Sequence, residues 1–187
     1  QRSQTTSTNA YGRVVRLRSP IGLDRRDRIN ALKSGDIGFV HSWDINTSVD
    51  GPGTRMTVFM SGCPLRCQYC QNPDTWKMRD GKPVYYEAMV KKIERYVDLF
   101  KATHGGITFS GGESMMQPAF VSRVFRAAKE MGVHTCSILP DSLAQVTPTT
   151  WWTISACVCL MSSLAMRKPT KGDWRHSATD HRFRTAS

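Results

Sequence analysis

The chain has no apolar run of the roughly 18 residues needed for a membrane-spanning helix, so no transmembrane helix is expected. Arg2 has no apolar stretch behind it, and the N-terminus does not read as a secretory signal. Cysteine is scarce, six in 187 residues. Three of the six crowd into one short stretch and cannot all pair with one another. That argues against a disulfide framework and for a reducing, cytoplasmic, low-oxygen setting. The nearest histidines, His41 and His104, stand at no zinc-knuckle spacing from it. Glutamate is absent after Glu130, and Gly172 is the only glycine after Cys136. Neither helical nor strand periodicity persists in that last part of the chain.

A length of 187 residues suits one domain with tails. The net charge of +11 invites a nucleic-acid reading, but its distribution argues against one. Residues 1–36 hold eight Lys/Arg against three Asp/Glu, residues 37–136 twelve against nine, and residues 137–187 six against three. The excess lies mostly at the two ends. No basic stripe interleaved with stacking aromatics accompanies it. It reads as a solvated basic arm, or as an attraction for an acidic partner surface. The expectation is a monomer that binds neither nucleic acid nor membrane.

What the chain does have is Cys63, Cys67 and Cys70, spaced C-x3-C-x2-C just after Ser61 and Gly62. Thiolates are soft ligands, suited to zinc and to iron–sulfur clusters. Such gaps let a short loop wrap one small object. A cluster held by three protein ligands keeps one iron open, the mark of a reactive site. A zinc site or plain structural thiols are the other readings of the same residues.

The flanking pattern alternates strand and helix. Gly38 to Trp43 reads as a short strand and Arg55 to Met60 as a buried one. Tyr85 to Lys101 reads as an amphipathic helix with Met89, Ile93, Val97 and Phe100 on one face. Ile107 to Ser110 reads as a strand. Gln117 to Met131 reads as a helix with Val121, Val124, Phe125 and Ala128 inward and Arg123, Arg126 and Lys129 outward. A further strand opens at Val133. The alternation implies βαβ units, an α/β class and a parallel sheet whose sites gather at the carboxyl ends of its strands. The cysteine loop and Gly111-Gly112-Glu113 both belong there and should meet in space.

Four stretches carry a family resemblance. They are the cysteine run with Tyr69 before its last cysteine, Asp50-Gly51-Pro52-Gly53-Thr54-Arg55, Gln71-Asn72-Pro73-Asp74-Thr75-Trp76, and Gly105 through Glu113. Together they resemble the radical S-adenosylmethionine (SAM) enzymes, and within them the glycyl radical activating enzymes of the pyruvate formate-lyase activase type. The resemblance runs from about Gly38 to Cys136. It implies a partial (β/α) barrel of radical SAM type, incomplete after about residue 136. It implies a [4Fe-4S] cluster on Cys63, Cys67 and Cys70, with SAM contacted by Tyr69, Cys70, Gln71, Gly111, Gly112 and Glu113. It implies a glycyl radical enzyme as protein substrate, met at Asp50, Gly51, Pro52 and Gly53, and a flavodoxin or ferredoxin as electron donor. Gly-Gly-Glu also suits a strand-to-helix turn capped by Glu113. Asp-Gly-Pro-Gly also suits a tight turn before a strand, and Tyr69 also suits loop packing.

Three segments are expected: a basic, largely disordered arm over 1–36, the half-barrel over 37–136, and a tail over 137–187 that departs from the pattern. In that tail a C-x-C pair, Cys157 and Cys159, reads as two buried thiols, and the abrupt change suggests a lost reading frame. The half-barrel's last strand would then carry an unpaired edge, and the helix before it an uncovered apolar face. The leading reading is a radical SAM oxidoreductase that activates a glycyl radical enzyme. The alternatives are a zinc-binding adaptor and a truncated, non-functional product.

Overall fold

The computed structural model describes residues 6–8, 14–16, 24–47, 50–67, 70–140, 157–161 and 183–185. Two short strands, β1 (Thr6–Thr8) and β2 (Val14–Arg16), form an antiparallel pair. Threonine and valine favour extended backbone, and Thr6–Thr8 is paired where no regular structure was expected.

Helix α1 (Arg25–Ser34) follows. Asp24 caps it by accepting the Asp27 amide at 2.8 Å, and Gly35 ends it in the left-handed region. Its end is tied to the rest of the domain by Arg123, which bonds the Asp36 carboxylate and the Ser34 carbonyl. The same guanidinium lies 4.3 Å from the Tyr86 ring centroid. Arg123 is therefore half-buried in a contact, not turned out to solvent as its helical position suggested. Burial pushes the Asp36 carboxyl up, but the Ser34 hydroxyl and Arg123 outweigh it and hold it below the usual carboxylate value. That stabilisation is present at neutral pH and is lost as pH falls through the lowered value.

The main sheet has the order β5–β3–β4–β6–β7–β8–β9. β3 (Ile37–Thr47) and β4 (Thr54–Met60) form an antiparallel hairpin, and β5 (Lys82–Tyr85) pairs antiparallel on the other side of β3. From β4 the sheet is parallel through β6 (Gly106–Gly111), β7 (His134–Pro140) and β8 (Cys157–Met161). Strand β9 (Phe183–Thr185) closes the order antiparallel to β8. Among the described residues the sheet stays open, in keeping with a partial α/β barrel.

Three expectations change. The strand at Gly38 is longer than anticipated and runs antiparallel to its neighbour. The single helix over 85–101 is two, α2 (Tyr86–Glu94) and α3 (Val97–Ala102). The break lets Tyr96 set its ring 6.4 Å from Trp43 and 6.2 Å from Phe100. The edge expected to lie bare beside β7 carries β8, with Cys136 opposite Cys157 in register. Residues 141–156, 162–182 and 186–187, the rest of the tail, lie outside the described residues.

Helix α4 (Pro118–Glu130) connects β6 to β7, as its apolar period suggested. It buries Phe120, Val121, Val124, Phe125, Ala127 and Ala128, so its apolar face is covered. These side chains pack on Met56, Val58 and Met60 of β4 and on Ile107 and Phe109 of β6. Alternation along β4 sends Arg55, Thr57 and Phe59 to the opposite face of the sheet. Phe109 meets Phe125 edge-on at 5.2 Å between centroids. Phe125→Ala is expected to lower stability by about 3–5 kcal/mol, read from urea unfolding.

Candidate functional site

The site grows from the carboxyl ends of β4 and β6. β4 stops at Met60, and the chain turns through buried Ser61 and Gly62 into the cysteine loop. Strand pairing cannot continue there, so the backbone groups find other partners. The Gly62 amide donates to the Thr75 carbonyl at 2.8 Å and the Cys63 amide to the Trp76 carbonyl at 3.0 Å. The return stretch after the loop thus braces its beginning. Arg66 donates to the Cys63 and Leu65 carbonyls at 2.8 and 2.6 Å, and its guanidinium lies 4.6 Å from the Trp76 ring centroid. His41 Nε2 stands 3.0 Å from the Asp74 carboxylate, tying β3 to the same return.

The Gly-Gly-Glu turn meets this loop directly. The Gly112 amide donates to the Met60 carbonyl and the Glu113 amide to the Gly62 carbonyl, both at 2.8 Å. Gly111 has φ +90°, and a Cβ on it would stand 2.7 Å from the Phe59 Cα. A Cβ on Gly112 would stand 2.6 Å from the Gly62 carbonyl oxygen. Side chains are excluded here because the turn lies flat against the end of β4. Glu113 is buried, and its Oε1 accepts the Met115 amide at 2.8 Å, capping the short turn Ser114–Met116. The capping role read from sequence is therefore present.

Cys63, Cys67 and Cys70 are free and half-buried on this loop. Burial pushes the Cys63 thiol up, and the charges of Glu113, Cys67 and Cys70 push it further, against a backbone hydrogen bond. Burial, with the charge of Cys70 next, raises the Cys67 thiol as well. Burial also raises the Glu113 carboxyl, against the Met115 amide and the Ser114 hydroxyl. A half-buried thiol loop with a buried carboxyl beside it disfavours further negative charge and so favours a positively charged occupant. One zinc ion would need its sulfurs within about 4 Å of one another, given Zn–S bonds near 2.3 Å. Among the described residues no group of three or more His, Cys, Asp or Glu side chains gathers around a single metal ion. A cluster binds each thiolate through a different iron, and three free soft donors on one loop are the donor chemistry it takes.

Of the other expected residues, Gln71 is exposed on the loop after Cys70. Tyr69 lies outside the described residues. Asp50, Gly51, Pro52 and Gly53 do not join the cysteines. They form the hairpin loop before β4, whose seven residues separate them from the cysteine loop by roughly 20 Å. There the Asp50 carboxylate accepts Thr57 Oγ1 at 2.8 Å and its carbonyl accepts Thr108 Oγ1 at 2.9 Å. Arg55, with no exposed surface, donates to Thr108 Oγ1, the Ile107 carbonyl and the Pro52 carbonyl at 2.6, 2.7 and 3.1 Å.

Sequence reasoning missed Gln117. Its side-chain oxygen accepts the Phe39 amide at 2.6 Å, and its Nε2 donates to the carbonyls of Phe39 and Ser61 at 3.0 and 2.9 Å. The amide completes the β3 ladder where β4 has turned away into the cysteine loop. A glutamine at the start of an amphipathic helix carries no signal of this from spacing alone.

Gln117→Leu leaves three buried backbone groups without that partner. It is expected to cost at least about 2 kcal/mol in urea unfolding and to raise protease cleavage within the cysteine loop. The raised Glu113 carboxyl yields a second expectation. A carboxyl that holds its proton more tightly folded than unfolded withdraws stability as pH rises between its two pKa values. In the metal-free chain, Glu113→Gln should therefore gain stability relative to the parent as pH rises above the ordinary glutamate range. A difference that stays constant as pH rises would contradict the burial argument.

The chain is similar to pyruvate formate-lyase-activating enzymes. It is 48% identical to that of Clostridium pasteurianum over 99 residues, 53% of this chain and 42% of the relative. It is 46% identical to pyruvate formate-lyase 1-activating enzyme of Escherichia coli K12 over 100 residues, 54% of this chain and 41% of the relative. It is 47% identical to the Staphylococcus aureus USA300 activating enzyme over 100 residues, 53% of this chain and 40% of the relative. The match thus spans about two fifths of the length of these curated relatives. A family model described as "4Fe-4S single cluster domain" matches residues 49–158, past Cys136 where the motif resemblance ends. That span takes in the cysteine loop, the glycine turn and most of the parallel sheet, and the chain belongs to the 4Fe-4S single cluster domain family.

Proposed function

We propose that the chain carries the cluster-binding portion of a radical SAM activating enzyme, acting on a glycyl radical enzyme such as pyruvate formate-lyase. The observation that carries this reading is the pair of backbone bonds joining Gly112 and Glu113 to Met60 and Gly62. They set a three-thiol loop and a glycine turn side by side, the two motifs that this chemistry needs together. A bound cluster would supply the single electron that reductive cleavage of SAM needs, the chemistry by which a glycyl radical would be made.

The chain's own residues supply the rest. Cys63, Cys67 and Cys70 would hold the cluster through their thiolates. Gly111 and Gly112 keep side chains away from the space beside it, and Glu113 offers its carboxylate to the methionyl ammonium. Tyr69 and Gln71 contact the nucleoside side of SAM. Asp50, Gly51, Pro52 and Gly53 receive the partner's glycine loop. The electron donor is a flavodoxin or ferredoxin, and the chain acts as a monomer in the cytoplasm. No helix among the described residues is long and apolar enough to cross a membrane.

Anaerobic reconstitution with iron and sulfide tests the reading. About four irons per chain are expected, with a cluster spectrum that changes when SAM is added. Cys63→Ala, Cys67→Ala and Cys70→Ala should each abolish it. One zinc and no iron would overturn it in favour of an adaptor.

A further inference from the structure

Helix α1 lies before the matched family region and has no buried residue. One of its faces is nonetheless apolar and open. Ile29, 43% exposed, and Leu32 line a groove of about 410 Å³ between α1 and the return stretch. Met78 and Phe39 supply the rest of its apolar lining, and Arg25, Arg28 and Arg79 its basic lining. The nearby acids are spoken for or distant in effect: Asp24 caps the helix, and Asp80 lies 3.8 Å from Arg79 in an exposed contact. Exposed pairs of that length contribute little. Asp27 stands in the first helical turn, where the helix dipole favours it.

The apolar lining of the groove leads to the cysteine loop. Met78 Cε is 3.0 Å from where a Cβ on Gly62 would stand. Gly62 precedes Cys63, and the two are hydrogen-bonded to Thr75 and Trp76 of the stretch that ends in Met78 and Arg79. A protein seated in the groove would therefore touch the wall of the cluster loop.

We propose that this groove is the docking surface of an acidic one-electron carrier protein that reduces the cluster. This rests on the cluster reading above. Charge selects the occupant. Residues 1–23 hold four arginines and no acidic residue, so the chain's own arm is repelled by the three lining arginines. A second copy, at net charge +11, is repelled likewise. A lining both apolar and basic suits a small, transient, salt-sensitive redox encounter.

The test uses a plant-type [2Fe–2S] ferredoxin as the acidic probe and the triple variant Arg25→Glu, Arg28→Glu, Arg79→Glu. Titration calorimetry at low ionic strength should show binding to the parent, weakened roughly tenfold or more in the variant and in added salt. Stopped-flow reduction of the reconstituted cluster by reduced ferredoxin should slow by a similar factor, while reduction by dithionite stays unchanged. Binding and ferredoxin-driven reduction within about twofold of the parent in the variant would overturn the proposal, as would no binding to the parent. Equal loss of the dithionite rate would also overturn it, since the residues would then serve the loop itself. Circular dichroism and melting of each variant check the fold, and Arg25→Gln, Arg28→Gln replaces the triple variant if that one unfolds. If no cluster forms, the functional reading fails, and the calorimetric arm still decides the docking surface.

Discussion

Everything at the candidate site depends on how the chain leaves β4. A parallel strand that ends in a loop strands its last carbonyls, and here the next strand's turn takes them. Gly112 and Glu113 donate to Met60 and Gly62, so the two loops share one backbone network. That network works only if nothing stands between the turn and the strand end, which is why Gly111 and Gly112 are glycine and not merely small. The sheet behind it is rigid because Met56, Val58, Met60, Ile107 and Phe109 are packed from one side by α2 and α4. Placement of the cysteines is thus a consequence of strand packing several residues away.

The two faces of the sheet do different work. One is covered by helices and is apolar. The other carries Arg55, Thr57 and Thr108, all buried and mutually hydrogen-bonded together with Asp50. A buried guanidinium is tolerable only when its donors are met, and Arg55 meets carbonyls of Pro52 and Ile107 besides the threonine hydroxyl. The Asp-Gly-Pro-Gly loop is therefore welded to the foot of the sheet, while the cysteines stand at its head.

Several features were legible before any coordinates. The apolar period of α4 and the strand at Ile107 each follow from local pattern, because side-chain burial on one face leaves a regular imprint. The three thiols and the glycine turn were legible as types and spacings. Others were not. Tyr96 breaks a helix whose period reads as continuous, since its ring is better placed between Trp43 and Phe100. Arg123 sits on the solvent side of its helical wheel, yet α1 brings Asp36 to it. Gln117 looks like any polar residue at a helix start, and its three bonds span elements far apart in the chain.

By itself the sequence determined the donor chemistry: three soft sulfurs in one loop, two side-chain-free positions and one acid, with strands placed to end beside them. Those are properties of residue type and local spacing, and they survive without any partner. Tertiary structure alone decided which groups face each other. It gave β3 and β5 their antiparallel order, set β8 against β7, put Asp50 at the far end of the strand from Cys63, and used Gln117 in place of a missing strand residue. The reason is that backbone groups left over at strand ends must find partners wherever packing brings them, and no local pattern records where that is.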